Sequence, residues 1–429
     1  MSVWLATTEK RHAMIGRWRH GITRIGSLLA TAAARPAQFT LYLLSGFAPR
    51  RKSLWVFGSW GGHRFADNAA AFFQYCHQVE LDAVDLVWIS RRRDIVEQLR
   101  RQGYEAHLAW SVRGVLRCLR AGVFIFDCFA KDINFWLSRD AITVNLWSGV
   151  PLKAFERDID NPGSRYYRLF HGVAPVRLAY SAMMPWHLVH PDLIIATSEE
   201  TAAITRRAFD VPEPAVVVTG FPRNDLLLSA EGHRQARSKC PPVVLAAADA
   251  GSTVFFYLPT FRDSAKPYLN IDWERLDALM EEVDGVFLIK FHPMDVTTFD
   301  HRSPRVVQLP QDIDVYHVLP FTSALISDYS SVIFDYMLMD RPIIYYTPDL
   351  AEFRASSRKL LFDPGDIAVG PCLSTPEELF AALTEIARDR SRSNDGGARG
   401  DAAMARLHAF DDDRSSARVL HAIRSVAGS

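Results

Sequence analysis

The stretch Ala324–Tyr346 constrains the fold of this chain more than any other part of the sequence. It begins with a short apolar run that predicts a buried strand, and Asp328, Ser330 and Ser331 then predict the start of a helix. Side-chain oxygens of these residue types accept hydrogen bonds from the free N–H groups of a first helical turn. Pro342 ends the helical pattern, and the apolar residues after it predict another buried strand. This order of elements indicates a parallel α/β sheet.

The two serines at the start of this helix, Ser330 and Ser331, have two interpretations. They can simply cap the helix. Alternatively, they can help to bind a phosphate, because a helix N-terminus presents unpaired N–H donors and a partial positive charge. Asp335 lies one turn further on, where a carboxylate on a short apolar helix needs either a buried partner or a ligand. The sequence leaves both alternatives open.

Strand-like apolar runs alternate with helical patterns along most of the chain, and polar clusters follow several of the strands. In the first half these clusters lie at residues 58–68, 148–153 and 223–225. Such alternation predicts parallel sheets covered by helices, with ligands at the carboxyl ends of the strands. We therefore predict an α/β fold with two Rossmann-like domains facing a cleft (GT-B type), at residues 51–235 and 236–429.

Three strand ends in the second half carry groups that suit a phosphate. Arginine and lysine clamp phosphate oxygens, and a histidine can donate to a leaving phosphate. A His-Pro pair alone is more often an ordinary turn, but three such strand ends together indicate a diphosphate site that needs no bound metal. The predicted donor-site and phosphate-binding residues are Thr260, Arg262, Lys290, His292, Asp328, Ser330, Ser331 and Asp335.

The composition excludes several classes of protein. A chain of 429 residues, 48% hydrophobic and 23% charged, is typical of a globular protein with two domains. Positive and negative side chains balance at 49 each, so no overall field attracts nucleic acid, and none is expected as a partner. The five cysteines are scattered. This fits a reduced cytosolic protein without a disulfide framework or zinc site, and we expect no metal or cofactor.

The N-terminal segment, residues 1–50, is rich in arginine and apolar side chains. It is too basic and too broken for a convincing secretory signal, and no apolar run in the sequence reaches the length of a membrane-spanning helix. One interpretation is a basic amphipathic segment lying on an anionic membrane surface. The other is a packing helix or a loose tail. The first predicts a cytoplasmic protein peripheral to the inner face of the cell membrane.

Seven motifs occur along the chain: WVFGSWGGHRFADN, VNLWSGVPLK, VTGFPRNDLL, FYLPTFRD, IKFHPMD, SDYSSVIFDYMLMDRPIIYY and KLLFDPGDIAVGP. Their sequence and order resemble those of the CDP-glycerol glycerophosphotransferase family of teichoic acid and capsule synthesis, over residues 50–425. The resemblance implies an acceptor site in the first half and a CDP-glycerol (or related CDP-alditol) site in the second. It also implies that an acceptor hydroxyl attacks the phosphate bearing glycerol and releases CMP.

The resemblance also implies roles for individual residues. It places His292, Arg262, Ser330, Ser331 and Asp335 in the donor site, and it predicts a lipid-linked or capsular glycan as acceptor. The catalytic candidates are His292, Ser148 and Asp67. The acceptor-side candidates are Gly61, Asn68, Gly149, Lys153, Arg223, Asn224 and Asp225.

The chain departs from the family pattern at Ser148. The family motif usually reads Trp-His-Gly-Thr-Pro-Leu-Lys, and its histidine is the proposed general base, whereas this chain has serine at that position. A serine hydroxyl is a poor base at neutral pH. Either His63, Asp67 or His171 takes the proton, or the base contributes little, or the enzyme is weakened or repurposed. Loss of a general base typically lowers the rate about a hundred- to ten-thousand-fold, so turnover need not vanish.

Two rival functions remain open at this stage. One is a glycosyltransferase of the same architecture that uses a sugar nucleotide. The other is a catalytically weakened partner that binds an activated donor within an assembly complex for a cell-surface polymer. Release of CMP from CDP-glycerol, compared with a panel of nucleotide sugars, separates these alternatives from glycerol-phosphate transfer.

Overall fold

The computed structural model describes residues 33–81, 83–261, 270–292, 295, 299, 301, 303–356, 359–362, 367, 369–389 and 397–428. Arg262 therefore lies outside the described residues, as does most of the basic N-terminal segment. Within the described residues, the strands form two parallel sheets. This arrangement confirms the predicted α/β fold with two Rossmann-like halves.

The first sheet is built from short, continuously apolar strands. Its members are β1 (Arg51–Gly58), β2 (Asp85–Ser90), β3 (Ala106–Leu108), β4 (Ala121–Phe126), β5 (Ile142–Asn145), β6 (Leu193–Ala196) and β7 (Val216–Val218). Their order across the sheet is β3-β2-β1-β4-β5-β6-β7, with every described pair parallel. Helices cover both faces, so residues on both sides of each strand can be apolar.

The second sheet repeats this design. Its strands are β8 (Thr253–Leu258), β9 (Gly285–Ile289), β10 (Val306–Gln308), β11 (Ala324–Ser327), β12 (Ile343–Tyr346) and β13 (Cys372–Leu373). They lie in the order β10-β9-β8-β11-β12-β13, again all parallel within the described residues. The stretch Ala324–Tyr346 forms β11, a short helix and β12, and β11 lies beside β8 at the centre of this sheet.

The helices connect successive strands and cover the sheets. They are α1 (residues 33–45), α2 (Asp67–Gln78), α3 (Arg93–Arg101), α4 (Val112–Arg120), α5 (Arg165–His171), α6 (Ala174–Met183), α7 (Glu199–Phe209), α8 (Asp225–Leu228), α9 (Ala230–Lys239), α10 (Pro242–Asp249), α11 (Trp273–Glu282), α12 (Val332–Met337), α13 (Leu350–Ser356), α14 (Pro376–Arg388), α15 (Gly397–Leu407) and α16 (Ser415–Ala427). In the described residues, no helix is both long enough and apolar enough to cross a membrane.

The last helix packs against the first sheet, although it follows the second sheet in sequence. Helix α16 contacts α2 and strands β5 and β6. Asp225 accepts hydrogen bonds from the backbone N–H groups of Ser415 and Ser416, at 2.9 and 2.8 Å, and so caps this helix. The predicted boundary between residues 235 and 236 lies inside helix α9, and the predicted second domain includes a helix that covers the first sheet.

A second crossing between the halves lies beside the cleft. Ala154 donates its backbone N–H to the carbonyl of Lys359 (2.8 Å), and Leu361 donates to the carbonyl of Leu152 (2.9 Å). These bonds form a short antiparallel bridge between the loop that follows β5 and a segment of the second half. The bridge fixes the loop that carries Ser148.

Candidate functional site

A cleft of about 1050 Å³ lies between the carboxyl ends of the two sheets. Residues of both halves line it, including most residues that the sequence assigns to phosphate chemistry. The predicted site residues on its wall are Asp67, Ser148, Gly149 and Lys153 from the first half, and Thr260, Lys290, His292, Ser330 and Ser331 from the second. The structure therefore brings these nine residues together.

The remaining described candidates lie behind the cleft wall. Gly61, Asn68, Arg223, Asn224, Asp225, Asp328 and Asp335 are not among the lining residues. Of these, Asn68, Arg223, Asn224, Asp328 and Asp335 are almost fully buried. Their contacts support the loops that form the cleft.

Arg223 holds together three parts of the site. Its Nη1 donates to Asp67 Oδ1 at 2.6 Å and to the backbone carbonyl of Ser148 at 2.8 Å. Its Nη2 donates to Asp335 Oδ2 at 2.6 Å, across the boundary between the two halves. Tyr316 Oη donates to the same Asp335 oxygen at 2.5 Å. The guanidinium, only 4% exposed, is thus shared between two carboxylates from different sheets.

The paired carboxylates keep the buried guanidinium charged. Burial lowers the pKa of Arg223, but Asp335, and after it Tyr316 and Asp67, raise that pKa well above its ordinary value. Burial also raises the pKa of Asp67, and Arg223 opposes that shift. A buried charge without such a partner is strongly destabilising. Asp335 therefore has the buried partner that its position on an apolar helix required, and the structure gives it no surface in the cleft.

Gly149 lies where the two halves approach each other closely in the cleft. Its φ of +142° is rare for residues with a side chain. A Cβ added there would lie 2.9 Å from Arg223 Nη2 and 3.0 Å from Ser331 Oγ. Glycine is therefore required for both its backbone conformation and its closeness to the opposite half.

Ser331 stands at the N-cap of helix α12 but makes no side-chain capping hydrogen bond. The capping interpretation of this serine is therefore not supported. The helix itself spans only six residues, Val332–Met337. A phosphate site here depends on the two hydroxyls and on nearby cations more than on the helix dipole.

Asp328 joins the ends of two neighbouring strands in the second sheet. It accepts a hydrogen bond from the hydroxyl of Thr260 at 2.5 Å and from the backbone N–H of Thr260 at 3.0 Å. The backbone N–H of Tyr329 donates to the same carboxylate. Asp328 is 2% exposed, so it positions Thr260 at the cleft wall and does not itself face the cleft.

Asn68 has a similar positioning role in the first half. Its side-chain amide donates to the carbonyls of Leu146 and Trp147, at 3.2 and 2.8 Å, just before Ser148. Its oxygen accepts from the backbone N–H of Arg223 at 3.1 Å. One buried amide therefore fixes the Ser148 loop relative to the loop that carries Arg223.

Cations from both halves surround His292 in the cleft. Partial burial lowers the pKa of His292, and the charges of Lys290 and Lys153 lower it further, with a smaller contribution from Arg64. Burial and Arg64 likewise lower the pKa of Lys290, whose ammonium donates to the carbonyl of Gln311 at 3.3 Å. A diphosphate would relieve this mutual repulsion. Arg64 was not among the site residues predicted from the sequence, although it lies within the motif WVFGSWGGHRFADN.

The environment of Ser148 bears on the missing histidine. Cys128 lines the cleft together with Ser148. Burial, and then Asp132, Asp127 and Asp67, raise the pKa of the Cys128 thiol well above its ordinary value. The thiol therefore stays protonated and is not a candidate base.

Of the proposed replacement bases, His63 and Asp67 line the cleft, whereas His171 does not. His171 is instead hydrogen-bonded to the carbonyl of Arg157 at 2.7 Å. The sequence analysis also missed Glu156, a cleft residue hydrogen-bonded to buried His187 at 2.8 Å. No motif in the sequence marked that pair.

Two facing parallel sheets with a cleft at their carboxyl ends define the GT-B class of transferase fold. The wall teichoic acid polymerase TagF shares this fold: the two superpose with a TM-score of 0.70 at 19% identity, over 95% of this chain and 98% of that chain.

The sequence comparisons identify the family within this class. The model of the CDP-glycerol:poly(glycerophosphate) glycerophosphotransferase family matches residues 40–425. The teichoic acid glycerol-phosphate transferase of Staphylococcus aureus (strain NCTC 8325 / PS 47) is 26% identical over 361 residues, or 81% of this chain and 87% of that protein. The teichoic acid poly(glycerol phosphate) polymerase of Bacillus spizizenii is 26% identical over 381 residues, or 80% and 86%. The chain belongs to this family and is a transferase of the CDP-glycerol type.

Replacing Arg223 by alanine should destabilise the protein strongly. The substitution leaves Asp67 and Asp335 buried without their cation, and such a loss typically costs about 3–5 kcal/mol. Urea unfolding followed by circular dichroism measures the change in midpoint. Arg234, which pairs with Glu231 at the surface, provides the matched control, since its alanine variant should change little. Equal midpoints for the two variants would contradict the role assigned to Arg223.

His292 should titrate below the ordinary histidine value of 6.5, because burial, and then Lys290 and Lys153, disfavour its charged form. A bound diphosphate should raise that pKa, so CDP binding should take up a proton. Affinity for CDP should then increase as pH falls through the bound-state pKa and level off below the free-state pKa. NMR titration measures both values, and His292→Gln identifies the signal and should remove this part of the pH dependence. A free-state pKa at or above the ordinary value would refute the prediction.

Proposed function

We propose that this protein transfers glycerol phosphate, or a related alditol phosphate, from CDP-glycerol to a hydroxyl of a lipid-linked or capsular glycan, releasing CMP. The observation that carries the proposal is the group of cations contributed by both halves around His292, in a chain of the CDP-glycerol glycerophosphotransferase family. A donor with two linked phosphates fits a cleft in which Lys290, Lys153 and Arg64 repel one another.

The reaction requires one bond to form and one to break. The acceptor oxygen attacks the phosphorus that bears glycerol, and the bond from that phosphorus to the oxygen bridging the two phosphates breaks. CMP leaves with the bridging oxygen, and the hydroxyl proton passes to a base. In our proposal His292 and Lys290 stabilise negative charge on the diphosphate as that bond breaks. His63 and Asp67 are the candidates to receive the proton, because both line the cleft.

Asp67 is held in a fixed orientation for such a role. Its Oδ1 accepts from Arg223 and from the backbone N–H of Asn68, at 2.6 and 2.9 Å. Its Oδ2 accepts a longer bond, 3.3 Å, from Trp60 Nε1. Burial raises the pKa of Asp67, which favours proton acceptance relative to an exposed aspartate. In this proposal Oδ2 is the oxygen that faces the acceptor.

The function test compares CMP release, detected by mass spectrometry, from CDP-glycerol, CDP-ribitol and a panel of nucleotide sugars. His292→Ala should lower CMP release from CDP-glycerol by about a hundredfold, the typical contribution of a catalytic proton donor. His421→Ala changes an exposed histidine on helix α16 and should leave the rate unchanged. Transfer from a nucleotide sugar would instead support a glycosyltransferase, and binding of CDP-glycerol without turnover would support a weakened partner.

Ser148→His should not lower transfer, and its pH–rate profile should gain an ionisation near that of histidine. The reason is that an imidazole at this position places a titratable group beside the acceptor side of the cleft. Ser148→Ala is the matched control, because it removes the hydroxyl without adding a base. A steep loss of rate in the histidine variant, with donor binding intact, would show that the site is shaped for a bulkier acceptor.

We also propose that the protein is cytoplasmic and lies peripherally on the inner face of the membrane. The end of helix α1 supports this, since Leu43, Leu44 and Phe47 are 53%, 59% and 86% exposed. Leu178 on neighbouring helix α6 is 73% exposed, and Arg35 joins the two helices through the carbonyl of Met183 at 2.8 Å. Such apolar side chains insert into a lipid interface.

Changing Leu43, Leu44 and Phe47 together to serine should reduce co-flotation with anionic liposomes, because the apolar contact with lipid is lost. The matched control changes Val112 and Leu116 on helix α4, which are 78% and 52% exposed, to serine. If the triple variant floats as well as the wild type, these three side chains do not bind the membrane, and they no longer support the proposed peripheral location.

A further inference from the structure

Trp60 is an exposed indole at the wall of the cleft. It is 52% exposed and lines the cleft beside the motif residues of the first half. Its backbone φ is +48°, a left-handed conformation that bulky residues rarely adopt. Burial of the indole therefore contributes little to stability, although the backbone at this residue is strained. Strain of this kind concentrates at ligand-binding sites.

The loop that carries Trp60 is held rigidly from below. Gly61 donates its N–H to Asp132 Oδ1 at 2.8 Å, and the carbonyl of Gly61 accepts from Arg91 Nε at 2.9 Å. The backbone N–H of Arg91 donates to the carbonyl of Gly62 at 2.7 Å. The indole is therefore presented on a fixed support, which lowers the entropy lost when a ligand binds to it.

Polar groups frame the indole. Trp60 Nε1 donates to Asp67 Oδ2, the carboxylate oxygen nearest the acceptor in the proposed reaction. The guanidinium carbon of Arg64 lies over one face of the ring, 5.2 Å from its centre. The part of the indole that stays exposed is a flat apolar surface with a carboxylate at its edge, which suits a sugar ring, because a sugar ring has C–H groups on its faces and hydroxyls at its edge.

We propose that Trp60 is the platform for a pyranose ring of the acceptor, and that this ring lies next to the hydroxyl that is attacked. The inference rests on the proposed function and specifies the acceptor further. A linear polyol phosphate chain has no flat C–H face, so it gains little from the indole. The enzyme therefore prefers an acceptor that ends close to a sugar ring over an extended polyol phosphate chain.

The kinetic test uses two lipid-linked acceptors, one ending on or next to a pyranose ring and one ending in a ring-free glycerol phosphate oligomer. Trp60→Ala should raise KM for the first by about five- to tenfold, the factor expected for loss of one aromatic stacking contact. Any change in kcat that follows loss of the hydrogen bond to Asp67 should be the same for both acceptors, and the KM for CDP-glycerol should change less than about twofold. The KM for the ring-free acceptor should not rise, and Trp60→Phe should restore most of the lost affinity for the ring-bearing acceptor.

Trp110 provides the matched control, because it is 50% exposed and is not among the cleft-lining residues. Trp110→Ala should leave all three kinetic constants unchanged. An equal rise in KM for both acceptors in Trp60→Ala, or no rise for either, would overturn the proposal and assign Trp60 only to the support of Asp67. A selective rise in KM for CDP-glycerol would also overturn it, and would place the cytosine base on the indole.

A binding test that needs no turnover separates this proposal from the proposed function. Saturation-transfer NMR measures contact of octyl N-acetyl-β-glucosaminide with the protein, and 1-O-octylglycerol is the ring-free probe. Ring protons of the glycoside should be saturated in the wild type and in Trp110→Ala, and several-fold less in Trp60→Ala. If CMP release fails but this difference is present, only the proposed reaction is wrong. If CMP is released and the difference is absent, the sugar platform is wrong.

Discussion

The structure depends on one buried guanidinium. Arg223 binds carboxylates from both halves of the molecule and also the carbonyl of Ser148, so it fixes the distance between the two walls of the cleft. Removal of Arg223, or of either carboxylate, leaves a buried charge without its partner, which strongly destabilises the fold. The three charged groups are therefore needed together. Gly149 is a consequence of the same arrangement, since only a residue without a side chain fits between Arg223 and Ser331. The geometry of the cleft is therefore set by a contact outside it.

Much of the fold could be predicted from the sequence, because the strands are continuous apolar runs bounded by turn residues. The two buried strands predicted within Ala324–Tyr346 are present in the structure as Ala324–Ser327 and Ile343–Tyr346. The packing of helix α16 against the first sheet could not be predicted, because it depends on contacts between residues almost two hundred positions apart, such as Asp225 with Ser416. Hydrophobic periodicity shows which face of a helix is buried but does not identify its partner.

Only some of the site residues could be placed correctly from the sequence. Residues at strand ends, such as Lys290 and Ser331, were placed in the cleft because the carboxyl ends of parallel strands share one edge. The family resemblance placed Arg223 on the acceptor side and Asp335 on the donor side, although the two bind each other behind the cleft. A charged side chain in this region can point into the cleft towards a ligand, or it can form a buried ion pair behind the cleft wall. A single sequence does not show which of the two orientations it takes. Trp60 was missed because an exposed aromatic side chain leaves no pattern in the sequence.

The capping of helix α16 by Asp225 has a consequence for synthesis of the protein. Strands β5 and β6 and helix α2 precede the second sheet in the chain, but the helix that packs against them follows that sheet and is made after it. While the chain is still on the ribosome, this part of the first sheet is exposed and Asp225 has no N–H groups of residues 415 and 416 to bind. The whole second half must be translated before the first half can complete its surface. The first half therefore completes its folding only after the second half has been translated. A ribosome that stalls within the second half carries a first half whose sheet still lacks helix α16.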